Sequence, residues 1–220
     1  MCRGQERLEM AVEIRSVEEA LERAVTLTQN TDSRVIIGLI GKPGVGKSTL
    51  SSYLLKKLPK KTTALVPMDG FHLSNAQLNK LGRINRKGAP DTFDSHGYVD
   101  FLRRIKADTS NDIYFPIFHR DIEESIAAEG VIHPHTSLVL TEGNYLLLES
   151  DGWSQVAVTL TESWFLDVDN DKRMSRLVAR HIKFGKTPAA AQEWAHGSDA
   201  HNAELIETTR VKADVIITLL

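Results

Sequence analysis

The chain holds a single cysteine, Cys2, in what reads as a loose N-terminal tail. No disulfide can form within it, and a reducing cytoplasm is the expected home. No apolar run approaches the ~20 residues that a membrane helix needs. The longest, such as "VIIGLI" at 35–40, are strand-sized. The opening "MCRGQERLEM" lacks the apolar core of a secretory signal. Net charge is nearly nil, with 27 basic against 29 acidic residues, which argues against nucleic acid or an anionic membrane as the main partner. Aromatic residues are only 6% of the chain and lack the basic stripe of a single-strand binder. "HPH" at 133–135 invites a metal reading, but no cysteine or acid stands at ligand spacing.

What is present is an alternation of strand and helix patterns. "SVEEALERAVTLTQN" at 16–30 has capping-box spacing between Ser16 and Glu19 and apolar residues at helical intervals. "RVIIGLI" reads as a buried strand, followed by a glycine-rich loop and a helix to about Leu58. "TTALVPMD" predicts a second strand ending at Asp69, and 74–82 and 95–107 predict helices. "DIYFPIFHRD" reads as an edge strand or a bend because of Pro116. "TSLVLTEG", "SWFLDVD" and "ADVIITL" predict further strands, and the helix "NDKRMSRLVARHIKFG" is closed by Gly185. The pattern predicts an α/β fold, a three-layer sandwich around a mostly parallel sheet. No linker or internal repeat is visible. One domain is expected over 1–220, with an N-terminal helix extension in 1–30.

Gly41, Gly46, Lys47 and Ser48 fit G-x-x-x-x-G-K-[ST] without a gap, between a predicted strand and a predicted helix. The loop Gly41, Lys42, Pro43, Gly44, Val45, Gly46, Lys47, Ser48 and Thr49 is the expected ATP-binding segment. Its glycines let backbone N–H groups converge on phosphate oxygens, and the helix N-terminus adds partial positive charge. Lys47 is expected at the β- and γ-phosphates and Ser48 on Mg²⁺. Guanine selection is not supported, because the only Asn-Lys pair, at Asn79, lacks the aspartate of N-K-x-D. A motor-type ATPase strand would end Asp-Glu, whereas Thr141 precedes Glu142 here. A kinase needs a base beside the γ-phosphate. Asp69, at the carboxyl edge of a predicted strand, is the candidate.

Taken together, "GKPGVGKST", "PMDGFH", "RKGAPDTFD", "FPIFHRDIEESI", "LVLTEGNYLLL" and "TTRVKADVIITL" resemble, in order, the uridine kinase, phosphoribulokinase and bacterial pantothenate kinase branch of P-loop kinases. The resemblance covers about 34–220. It implies ATP and Mg²⁺ as cofactors and Asp69 as catalytic aspartate. Glu142 would help organise Mg²⁺, and Arg176 and Arg180 would belong to a lid at about 171–200 that closes on the transferring phosphate, with Lys183 and Lys186 as weaker lid candidates. At the acceptor end, His72, Arg86, Asp94 and Arg120 are the substrate candidates, beside Lys87 and Asp91. Asp94 reads first as a helix cap and only second as a ligand.

Uridine kinases carry Tyr-Asp-Phe where this chain has Phe118, His119 and Arg120, and the pantothenate enzymes are longer. A nucleoside-, sugar- or pantothenate-like hydroxyl compound therefore stays open as acceptor, and so does a pyridine-ring compound. A nucleotide-binding regulator and a partner-coupled ATPase remain as alternatives. No nucleic-acid or membrane partner is expected, and a homo-oligomer is open by analogy alone.

Overall fold

The computed structural model describes residues 11–150 and 152–219; Cys2 and the N-terminal decapeptide lie outside them. Six strands form one parallel sheet: β1 (Val12–Ile14), β2 (Val35–Ile40), β3 (Thr63–Pro67), β6 (Leu138–Gly143), β7 (Glu162–Asp167) and β8 (Val215–Thr218), in the order β1-β8-β7-β2-β6-β3. Two further strands, β4 (Ile113–His119) and β5 (Glu124–Ile132), pair with each other as an antiparallel hairpin apart from that sheet.

β2 shows how the layers arise. Successive side chains leave opposite faces of a strand. Ile36 and Ile40 enter one core, with Val66, Tyr98 and Trp153, while Val35, Ile37 and Leu39 enter the other, with Leu50, Leu54 and Trp164. Helices α1 (Val17–Gln29) and α2 (Lys47–Lys57) cover the second face. Helix α4 (Ser95–Ala107), preceded by the short α3 (Asn75–Lys80), covers the first. Helices α5 (Asn170–Lys183), α6 (Pro188–His196) and α7 (Ser198–Glu207) follow β7.

Several expectations shift. The N-terminal extension carries a strand as well as a helix, and β1 joins the sheet edge beside β8. Ser16 does cap α1, but Glu19 turns to the amide of Arg15 instead of closing the box on Ser16. The segment around Pro116 is a regular strand interrupted by a bulge between Phe115 and Ile117, and its partner β5 is a strand that the sequence pattern did not announce. β3 stops at Pro67, so Asp69 stands two residues beyond it, in the 3₁₀ turn Met68–Phe71. Thr141, at the position where a motor-type aspartate would stand, is fully buried. It donates to the carbonyl of Val66 at 2.7 Å and so accepts from the hydroxyl of Tyr98 at 2.5 Å. That role is structural, and burial raises the Tyr98 hydroxyl's pKa.

Candidate active site

The carboxyl ends of β2, β3 and β6 open onto a cavity of about 830 Å³, completed by the hairpin and by α5–α7. At its floor the loop after β2 enters α2 through Gly46, which has φ 108° and no side-chain cap above it. The first amides of α2 are thereby left for an anion. Gly44 must be glycine: its φ is 84°, and a Cβ there would come within 2.7 Å of the carbonyl oxygen of Arg173. The buried guanidinium of Arg173 in turn donates to the carbonyl of Pro43 at 3.1 Å, so α5 braces the loop from behind.

Lys47 donates to the carbonyl of Gly41 at 2.6 Å and to Oδ1 of Asn144 at 2.7 Å. Burial pulls its ammonium down to about 8, partly opposed by the Glu142 charge. Ser48 and Ser51 each donate to one oxygen of Glu142, both at 2.9 Å. Hydroxyl and carboxylate oxygens side by side at the loop form a hard donor set. Mg²⁺ takes one or two such protein groups and completes its shell with water and phosphate oxygens. The residues present therefore fit that ion, although no cluster of three His, Cys, Asp or Glu suited to a metal occurs among the described residues.

Across the cavity, Asp69 Oδ2 accepts from Arg120 at 2.9 Å. The turn carrying Asp69 is fixed from the hairpin side, because a Cβ on Gly70 would overlap the carbonyl oxygen of Pro116. His72 lines the same wall, its Nδ1 at 2.7 Å from the carbonyl oxygen of Asp69. Above, Arg176 hangs over the loop, its guanidinium 3.8 Å from where a Cβ on Gly46 would stand. Arg180 also lines the cavity, and burial, with Arg120 nearby, lowers its pKa. Arg120 lies over Phe184 at 5.8 Å from the ring centre, and Lys186 lies over Trp194 at 4.2 Å.

The structure thus brings Pro43, Gly44, Gly46, Lys47, Ser48, Thr49, Asp69, His72, Arg120, Glu142, Arg176 and Arg180 around one space. Gly41, Lys42 and Val45 do not border it: Val45 is buried and Lys42 pairs with Glu207 at 2.7 Å. Arg86 and Asp94 do not border it either. Arg86 grips Asp91 with two hydrogen bonds of 2.7 and 2.5 Å, and Asp94 caps α4 by accepting from the amide of Gly97 at 2.9 Å. Lys183 is exposed and outside the cavity, whereas Lys186 is inside it. Phe118, at the position of the family's Tyr-Asp-Phe run, borders the space, and so do Asn144, Phe184, Trp194, Asp199 and Asn202, which no pattern singled out. His133 of the "HPH" stretch meets an acid after all, Asp112 at 2.8 Å, and stacks on His135, with no further ligand gathered.

A phosphate loop on a parallel sheet, with a carboxylate facing it, defines a P-loop phosphotransferase fold and site. No family model matches the chain. A Schizosaccharomyces pombe protein provisionally named a uridine kinase is 30% identical over 220 residues, 96% of this chain and 93% of that one. The pantothenate kinase of Lactococcus lactis subsp. cremoris is 27% identical over 83% of this chain and 68% of its own. A crystal structure from Silicibacter sp. TM1040, provisionally described as a fructose transport system kinase, superposes with a TM-score of 0.82 at 34% identity, covering 91% of this chain and 98% of that one. The chain belongs to the uridine kinase and pantothenate kinase family of P-loop kinases.

Proposed function

We propose that the protein transfers the γ-phosphoryl group of Mg·ATP to a hydroxyl of a small nucleoside-, sugar- or pantothenate-like acceptor. The observation that carries this reading is Asp69, a carboxylate held by Arg120 in the same cavity as Lys47 and Ser48. Lys47 and the uncapped first turn of α2 hold the phosphates. Asp69 orients the acceptor hydroxyl and takes its proton as the phosphoryl group leaves ADP. Arg176 and Arg180 place positive charge where the transferring oxygens spread theirs. Ser48 and Glu142 would hold Mg²⁺, which supplies further neutralisation of phosphate charge. The segment at about 171–200, carried by α5 and α6, acts as a lid that keeps water from competing as acceptor.

The names of the relatives support the acceptor range: a provisionally named uridine kinase, a pantothenate kinase and a kinase provisionally linked to fructose transport. ATP as donor is supported by a further relative, the ATP-dependent kinase YFH7 of Zygosaccharomyces rouxii. No helix among the described residues is long and apolar enough to cross a membrane. We place the reaction in the cytoplasm, with a small molecule as partner and a homo-oligomer as the assembly suggested by analogy.

The test is ATP turnover against a panel of nucleosides, sugars and pantothenate. ADP forming only with an acceptor present supports transfer. ADP forming only with a macromolecule supports a coupled ATPase, and ATP binding without turnover supports a regulator. In the transferring enzyme Asp69→Asn lowers kcat by about 10²- to 10⁴-fold with ATP affinity kept. Unchanged turnover removes Asp69 as the base.

A further inference from the structure

His72 brings to the cavity wall a polar atom for which no protein partner is found among the described residues. His72 Nδ1 lies 2.7 Å from the carbonyl oxygen of Asp69. A carbonyl can only accept, so Nδ1 carries the hydrogen. Burial lowers the His72 pKa, so the ring is neutral near pH 7. Nε2 then keeps a bare lone pair, and no protein donor among the described residues reaches it. The ring is also clamped. Phe93 stands 3.9 Å from its centre and Phe118 4.7 Å, leaving the ring edge as what it offers to the cavity.

The same clamp occupies the aromatic surface of this wall. Phe93 is 7% exposed and also meets Tyr145 and Trp153 edge-on. Phe118 carries His72 together with the ammonium of Lys87, 5.1 Å from its ring centre. Phe93 is thereby closed to a nucleobase, and Phe118 is already engaged by two neighbours. Lys87 is itself engaged by Asn75 Oδ1 at 2.7 Å and by the carbonyl of Glu123. Beside Asp69, His72 Nε2 offers a fixed hydrogen-bond acceptor suited to an O–H.

We propose that His72 sets acceptor specificity: its Nε2 accepts a hydrogen bond from a hydroxyl neighbouring the one that Asp69 orients, so the acceptor is a sugar-like polyol rather than a nucleoside. This rests on the phosphoryl-transfer reading above. Asp69 and His72 are three residues apart on one turn, and the backbone oxygen of the first fixes the ring of the second. The two groups therefore read adjacent hydroxyls as a pair. A compound lacking the second hydroxyl leaves Nε2 desolvated and unpaired, which a site built for hydrogen bonding penalises heavily.

The experiment has two arms on the full chain. In the first, kcat/KM is measured with D-ribose, D-fructose and D-glycerate, with deoxy analogues of whichever are used, and with uridine and pantothenate. The wild type is expected to prefer a polyol to its deoxy analogue by about 10- to 100-fold. His72→Phe, which keeps the clamped ring and removes the lone pair, is expected to bring that ratio within about 3-fold of unity. In the second arm, long-range proton–nitrogen spectra of histidine-labelled protein are expected to show His72 protonated at Nδ1 and bare at Nε2, with Nε2 shifting when the preferred polyol is added. A proton found on Nε2, a His72→Phe variant that keeps the preference, or uridine outpacing every polyol overturns the proposal. ATP binding with no ADP from any compound overturns the transfer reading itself, and the polyol assignment with it.

Discussion

Replacing Lys47 by methionine should make the ligand-free protein more stable while ending nucleotide binding. The ammonium sits among the carbonyl of Gly41, that of Lys42 at 3.4 Å and Asn144 Oδ1. Burial nevertheless lowers its pKa from 10.5 to about 8. Glu142 and Asp69 oppose that drop, and Arg180 and Arg120 add to it. At 1.36 kcal/mol per pH unit, holding the charged form costs the fold ~3 kcal/mol at neutral pH. Methionine removes that cost but leaves the oxygens of Gly41 and Asn144 without this donor, at about 1 kcal/mol each. The net expectation is a gain of ~1 kcal/mol at pH 7. The sign with pH follows from proton counting. Below pH 8 both folded and unfolded wild type are protonated, and the penalty is constant. Between 8 and 10.5 the unfolded chain binds more protons, so the wild type gains stability relative to the variant. Urea unfolding of both proteins at pH 7, 8, 9 and 10 measures this. The advantage of Lys47→Met at pH 7 should shrink and then reverse by pH 10. A difference that stays flat across that range, or a variant less stable at pH 7, would refute the reasoning.

Other expectations rest on contacts at the edges of the site. Gly70→Ala drives a methyl into the Pro116 carbonyl and pushes the hairpin off the turn that carries Asp69. It should cost about 1–3 kcal/mol in urea unfolding and raise the acceptor KM with little change in ATP affinity. Arg34 is 4% exposed and donates to five carbonyls, those of Ile105, Asp108, His133, Pro134 and Thr136. Arg34→Met leaves them short of a donor and should cost roughly 3 kcal/mol, read from the urea midpoint. Arg173→Met removes the donor on the Pro43 carbonyl and loosens the phosphate loop. ATP affinity, by calorimetry, should weaken by about 10-fold, the equivalent of one charged hydrogen bond, and an unchanged affinity would show that the loop stands without that brace.

How far pattern alone reached depended on whether a spacing carries its own mechanism. The run from Gly41 to Thr49 does, since glycine, lysine and serine at those offsets have one shared physical use. β2 and β6 were equally plain, because every residue of β2 is buried and an unbroken apolar run allows little else. β5 was not, because only Gly130 and Ile132 of Glu124–Ile132 are buried and a half-solvated hairpin writes a weak signal. β1, three residues with one buried, writes almost none. Asp94 was ambiguous for another reason: a carboxylate three residues before an amide reads as a cap or as a ligand, and only the 2.9 Å contact to Gly97 decides between them. Asn144 had one clue, its place two residues past Glu142 at the carboxyl edge of β6, and asparagine there has no distinctive pattern. The relation hardest to read in advance is the one that joins the site. Arg120 comes from the end of the hairpin, holds Asp69 from the turn after β3 and lies over Phe184 at the end of α5. Those three residues are 51 and 64 positions apart in sequence, and the close approach of the hairpin to Gly70 brings the first two together. One guanidinium therefore touches both the turn after β3 and the end of α5. If the segment at about 171–200 is the proposed lid, Arg120→Ala should change acceptor KM and the protease sensitivity of that segment together, and an acceptor KM that rises with the segment's protection unchanged would separate the two.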